Sequence, residues 1–174
     1  MNAADLRALQ APLKQRYRDD ATSALVTLEA EGRVGGDAIT CTVPTWSGDA
    51  VAGLHPSAGG DGSEACSGDM LLQAVVACAG VTLRSVATAM GVPLAGARVV
   101  ARGRFDARGT LGVSKETPVG LTDVTLSFEL DTTADAATVQ RLIQLTERYC
   151  VVFQTLANPP KLSVDHRVVS PAAG

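Results

Sequence analysis

Four thiols are the groups in this sequence best suited to chemistry: Cys41, Cys66, Cys78 and Cys150. As thiolates, cysteines attack electrophiles, hold soft metals and exchange with disulfides. Metal binding fails on spacing, because the thiols lie 25, 12 and 72 residues apart and neither His55 nor His166 forms a recognisable ligand pair with them. No Cys-x-x-Cys or His-Glu-x-x-His run occurs, so no metal is expected. The run GGDGSEACSGD has the glycines of a phosphate cradle without the Lys and Ser/Thr of a P-loop, so no nucleotide cofactor is expected either. What remains is thiol chemistry, weighed against simple packing. Taken alone, Cys78 in QAVVACAGV reads as a small apolar residue of a buried helix. Cys150, next to Tyr149, Val151, Val152 and Phe153, reads the same way. Arg33 in EAEGRVGG reads as a solvated turn residue, and Asp69 as an acid at the positive end of a helix dipole.

The elements that must position these residues follow from periodicity. Residues 69–90, DMLLQAVVACAGVTLRSVATAM, form a helix that is apolar on nearly every side and so is expected to be surrounded by protein. Gln73, Thr82, Arg84, Ser85 and Thr88 punctuate it, which argues against a membrane span. Ser67 is its expected N-cap, and Gly91 with Pro93 its end. Upstream, Leu6, Leu9 and Leu13 have helical spacing around Pro12, giving a short or interrupted amphipathic helix suited to a partner surface. SALVTLEAEGRV and DAITCTVPT flank a Gly-Gly pair and predict a hairpin with Cys41 in its second strand. Residues 56–68 read as a loop that exposes Cys66. ARVVARGRFDARGTLGV and VGLTDVTLSFELDTT predict a second hairpin, with Arg98, Arg102 and Arg104 on one face. Residues 134–149 predict a helix that runs on through Cys150 to Asn158, where Pro159 and Pro160 stop it, and KLSVDHRVV is a closing strand. The order is α+β, one domain over residues 1–174 with a helical extension at 1–20.

Composition narrows the partners. With 46% hydrophobic but only 3% aromatic residues, the core must be built of Val, Leu and Ala. A net charge of -3 and so few rings leave neither a basic field nor a stacking surface, so no nucleic acid is expected. MNAADLRALQAPLKQRYRDD has no continuous apolar stretch, which predicts a cytoplasmic protein whose thiols are kept reduced.

Two segments carry a family resemblance. SGDMLLQAVVACAGVTL resembles the first-cysteine helix, and LTERYCVVFQTL the second-cysteine helix, of the OsmC/Ohr family, the osmotically inducible and organic hydroperoxide resistance proteins. The order of hairpins and helices is similar over about residues 20–170. The resemblance implies an OsmC-like fold, β-hairpins packed on a long central helix and a second cysteine-bearing helix, in an intertwined homodimer with its sites at the subunit interface. It implies a thiol-dependent peroxidase of oxidative or osmotic stress defence. Cys78 would be the peroxidatic thiol, Cys150 the resolving thiol, and an external dithiol the reductant, with an organic hydroperoxide as substrate and no bound cofactor. By position Arg33 matches the family's thiolate-stabilising arginine, and Asp69 the carboxylate that holds it. Nine residues separate Asp69 from Cys78, half a turn out of phase on a regular helix, so Glu64 is an alternative carboxylate. Two other readings of the same fold are a non-enzymatic dimer that binds a small apolar ligand and a thiol redox sensor.

Overall fold

The computed structural model describes residues 1–169, so residues 170–174 of the span read as one domain lie outside the described residues. Helix α1 (Ala3–Asp19) runs unbroken through Pro12, contrary to the expected interruption. Its start is a capping box: Asn2 accepts from the Ala4 and Asp5 N–H groups, and the Asp5 carboxylate accepts from the Asn2 N–H. Nearly the whole helix is exposed, so water can take the carbonyl that Pro12 leaves unbonded. Leu6 is half-buried, whereas Leu9 and Leu13 remain exposed.

Strands β1 (Cys41–Thr45) and β2 (Gly48–Gly53) form an antiparallel hairpin, and the two-residue β3 (Ala65–Cys66) lies parallel to β2 on its other edge. Cys41 therefore falls on a strand, as expected. The hairpin predicted across Gly35 and Gly36 shrinks to one antiparallel bridge, Arg33 with Thr42. That close approach depends on Gly32, where a Cβ would sit 2.8 Å from the Cys41 Sγ. The rest of residues 25–40 forms no strand, and Leu25, Val26, Leu28, Val34 and Ile39 are exposed. KLSVDHRVV likewise forms no strand, with Leu162, Val164, Val168 and Val169 exposed. The physical reason is common to both: an alternating apolar segment becomes a strand only where an edge and a face receive it, and one chain supplies neither here.

Helix α2 (Ser67–Met90) ends at Gly91, whose φ of 69° lets its N–H reach back to the Ala87 and Thr88 carbonyls. Its N-cap is Cys66 rather than Ser67, and no side chain caps it. Cys66 is half-buried, not exposed on a loop. Next come β4 (Leu94–Arg104), the single turn α3 (Ala107–Thr110) and β5 (Asp123–Thr132), with β4 and β5 forming the expected second hairpin. Across it Arg98 meets Glu129 and Arg104 meets Asp123, both at 2.9 Å and largely in solvent. Helices α4 (Ala136–Tyr149) and α5 (Val151–Ala157) follow, separated at Cys150, where a continuous helix was expected.

The fold is α+β, a long helix packed against two small sheets. Val75, Ala79, Leu83 and Ala87 recur at every fourth position of α2 and form the buried face, meeting Leu94, Leu142, Thr146 and Cys150. The Thr146 hydroxyl is satisfied by the Leu142 carbonyl at 2.8 Å, so it costs the core no orphaned donor. The opposite face is bare: Gln73, Ala74, Ala77 and Arg84 are exposed, and Val81 is 74% exposed. The expectation of a fully surrounded helix thus holds for one face only. By length and composition α2 could cross a membrane, yet its inner face is packed on β4, α4 and α5. Leu142→Ala, at a fully buried position, should lower unfolding free energy by about 2–5 kcal/mol in a urea titration, and the exposed Leu9→Ala by under about 0.5 kcal/mol.

Candidate active site

The structure brings Cys78 and Cys150 together. Cys78 is half-buried on α2, and Cys150 is fully buried at the break between α4 and α5. At that break Cys150 adopts φ -74°, ψ 106°, an extended conformation that ends one helix and caps the next. Its own N–H still bonds the Thr146 carbonyl, and its carbonyl accepts from Gln154 N–H, so α5 starts afresh from it. The first amides of a new helix have no carbonyl four residues behind them. The Val151 and Val152 N–H groups act on the Cys78 sulfur, and those of Phe153 and Val152 on the Cys150 sulfur. On the other side of the break, the Gln154 side chain donates to the Glu147 carbonyl at 2.9 Å, so the interruption does not leave that oxygen stranded.

This arrangement separates the two thiols chemically. Burial alone would push the Cys78 thiol up, but hydrogen bonds from the Val152 N–H, the Cys150 S–H, the Val151 N–H and the Thr82 hydroxyl outweigh it and hold it below an ordinary thiol. For Cys150, burial pushes upward and the Phe153 N–H only partly offsets it, while the neighbouring Cys78 sulfur raises it further. Of the two, Cys78 is thus the sulfur drawn toward ionisation, and Cys150 the one drawn toward keeping its proton. A thiolate next to a protonated thiol is poised for attack on an electrophile followed by disulfide formation.

A cleft of about 480 Å³ opens beside the pair, between Leu71 and Val75 of α2, Leu121 and Val124 near the start of β5, and Phe153 and Leu156 of α5. Val75 is one turn before Cys78, and Phe153 supplies the amide to Cys150. The walls are chiefly apolar, so an alkyl or aryl group would be desolvated there.

The other residues singled out by sequence are elsewhere within the chain. The Arg33 guanidinium is exposed and pairs with Glu31 at 3.4 Å, and it is not among the groups that act on Cys78. Asp69 is exposed in the first turn of α2, within the regular helix and therefore out of phase with Cys78. Glu64 is exposed, its side chain packed at Gly53. Cys41 and Cys66 lie on strands either side of β2, paired with Ala52 and Gly53 respectively, and neither reaches the thiol pair. Sequence reasoning missed Thr82 and the amides of Val151 and Val152. Thr82 was legible as the residue one turn past Cys78, whereas the amides became available only through a helix break that no Pro or Gly marks.

Fold and site together define an α+β protein built around a dithiol at a helix junction. The family model described as OsmC-like protein matches residues 60–165, and the chain belongs to that family. No curated relative matches the sequence. Among solved structures, the OsmC-like protein of Mycoplasma pneumoniae is 16% identical, with 77% of this chain and 89% of that one covered at a TM-score of 0.64. An organic hydroperoxide resistance protein OsmC of Legionella pneumophila is 15% identical, with 77% and 93% covered at 0.61. An organic hydroperoxide resistance protein of Elizabethkingia anophelis is 17% identical, with 77% and 91% covered, also at 0.61. These likenesses establish the OsmC-like fold.

Alkylation by iodoacetamide, read residue by residue in the mass spectrometer, should modify Cys78 first. Because its pKa is lowered, its rate should reach a plateau at lower pH than that of a free thiol, and Cys150 should react only at higher pH. Cys150→Ala removes one donor and should move the Cys78 midpoint upward.

Proposed function

We propose that this protein is a thiol-dependent peroxidase that reduces organic hydroperoxides, with Cys78 as the peroxidatic and Cys150 as the resolving residue. The observation that carries this reading is the meeting of Cys78 on α2 with the buried Cys150 at the break between α4 and α5, and the opposite pull of their surroundings on the two thiols supports it. The Cys78 thiolate attacks the terminal peroxide oxygen; the S–O bond forms, the O–O bond breaks, and the alcohol departs after taking a proton. Sulfur is oxidised to a sulfenic acid as the peroxide is reduced. Cys150 then attacks that sulfur, water leaves, and a Cys78–Cys150 disulfide forms. An external dithiol restores both thiols by exchange, in the reducing cytoplasm, as part of oxidative or osmotic stress defence. The apolar cleft supports an organic rather than an inorganic peroxide. The same cleft also supports a second reading, a non-enzymatic protein that binds a small apolar ligand; a sensor that hands its disulfide to a partner would share the thiol chemistry.

The functional unit in this reading is an intertwined homodimer covering the whole chain. Three apolar surfaces support it: the bare face of α2, residues 25–40 and residues 161–169. The two unpaired segments would become strands against a second copy. Arg33, whose pairing with Glu31 is exposed and so holds it only weakly, would then reach the thiolate of the other subunit, with Asp69 or Glu64 as its carboxylate.

Stoichiometric cumene hydroperoxide added to reduced protein should yield one intramolecular Cys78–Cys150 disulfide on peptide mapping, and Cys78→Ser should abolish peroxide consumption. A mapped disulfide that excludes Cys78, or unchanged turnover in Cys78→Ser, rejects the peroxidase reading. In sedimentation velocity the protein should run as a dimer, and Val81→Asp, which puts a charge on the bare face, should shift it toward monomer.

A further inference from the structure

The family match begins at residue 60, so α1 lies wholly outside it. Between α1 and the C-terminal half of α2 is a chamber of about 520 Å³, within the roughly 300–1,000 Å³ usual for small-molecule sites. Its walls are chiefly apolar: Leu6 of α1, Val81, Val86 and Ala89 of α2, and the ring of Tyr149. Thr82 and Ser85 add two hydroxyls from α2, α1 adds Gln10 and Lys14, and no acid lines it among the described residues. Val81 borders both this chamber and the bare face of α2, whereas Ala77 and Arg84 of that face do not reach the chamber.

Charge decides what kind of occupant fits. Arg7, Ala11, Lys14 and Arg18 follow one another at spacings of four, three and four residues, so they form one stripe of α1. They line an open groove along that helix, and Lys14 borders both the groove and the chamber. Among the described residues, none of the three cations pairs with a carboxylate. Arg18 donates to the neutral Gln15 side chain at 3.3 Å, and the Gln15 amide donates to Asp19 at 2.8 Å. Arg18 stands in the last turn, where the helix dipole favours a cation, but Arg7 and Lys14 are too far from that end for the dipole to account for them. An unpaired cationic stripe in a chain of net charge -3, running beside an apolar chamber, gives the two-part character that an amphiphile needs.

We propose that α1 and α2 together form a binding site for a free single-chain anionic amphiphile, a medium-chain alkyl carboxylate. Its tail lies in the chamber against Leu6, Val86 and Ala89, where apolar surface leaves water. Its carboxylate stays at the rim beside Lys14, with Arg7 and Arg18 along the same stripe, so the charge keeps its hydration and gains a cation. A cationic amphiphile of the same length would meet three like charges instead. The site is separate from the thiol chemistry, because neither Cys78 nor Cys150 lines it. Failure of either reading therefore leaves the other standing.

The test titrates the full chain calorimetrically with decanoate, hexanoate and decylammonium. Hexanoate, four methylenes shorter, should bind about 10²-fold more weakly than decanoate. Decylammonium should bind more weakly than decanoate in the wild type, and Lys14→Glu, an exposed change on α1, should reverse that order. Ala89→Phe, which fills the chamber, should abolish decanoate binding. Amide exchange followed by mass spectrometry locates the ligand: residues 6–14 and 81–89 should slow when decanoate is added. Equal affinities for the two charges, no effect of Lys14→Glu, or slowing confined to residues 121–124 and 153–156 beside the thiol cleft overturns the proposal. So does slow exchange at 6–14 and 81–89 without ligand that is lost in Val81→Asp, because a second copy would then fill the chamber. Cosedimentation with phosphatidylglycerol vesicles should leave the protein in the supernatant; pelleting assigns the cationic stripe to a membrane surface and overturns the free-carboxylate site.

Discussion

The contact between the start of α5 and the Cys78 sulfur is the interaction on which the site depends, and it exists because the polypeptide leaves the helix for one residue at Cys150. A continuous helix from Ala136 to Ala157 would bond the Val151 and Val152 amides to carbonyls behind them and leave the sulfur facing only apolar walls. Burial would then keep Cys78 protonated. By opening at Cys150, the chain frees unpaired amides at the point where α2 passes, and places the second thiol within reach of the first. Gln154 makes the break tolerable by occupying the Glu147 carbonyl. Backbone dipoles thus accomplish within one chain part of what a cationic side chain would do in the proposed dimer.

Packing fixes that contact in place. The buried face of α2 and the buried residues Leu142, Thr146 and Cys150 of the α4 end interlock without a large aromatic among them. Small and branched side chains allow the helices to lie close, which is what lets a sulfur on one reach amides on the other. The low aromatic content therefore bears on the chemistry as well as on the core. The β4–β5 hairpin also packs on α2, and its Arg98 and Arg104 pair across the strands with Glu129 and Asp123.

One chain leaves much apolar surface uncovered, and this belongs with the proposed dimer. The expected strands at SALVTLEAEGRV and KLSVDHRVV have the alternation of strands, but their edges and their buried face are not supplied intramolecularly. The same incompleteness surrounds Arg33, whose exposed pairing with Glu31 is the kind that contributes little.

By itself the sequence determined the elements whose signals are local: α2 and its glycine stop, the β4–β5 hairpin, Cys41 on a strand, and α4 as a helix, each written in spacing or in a turn residue. The cysteine contexts also pointed to the OsmC-like family. Tertiary structure decided the rest. Whether α1 survives Pro12 depends on its exposure, and whether an alternating segment becomes a strand depends on an edge arriving from elsewhere. Above all, the kink at Cys150 carries no Pro or Gly to announce it; it is set by how α4 and α5 pack around α2, and the ionisation of Cys78 follows from amides that no linear spacing could assign to it.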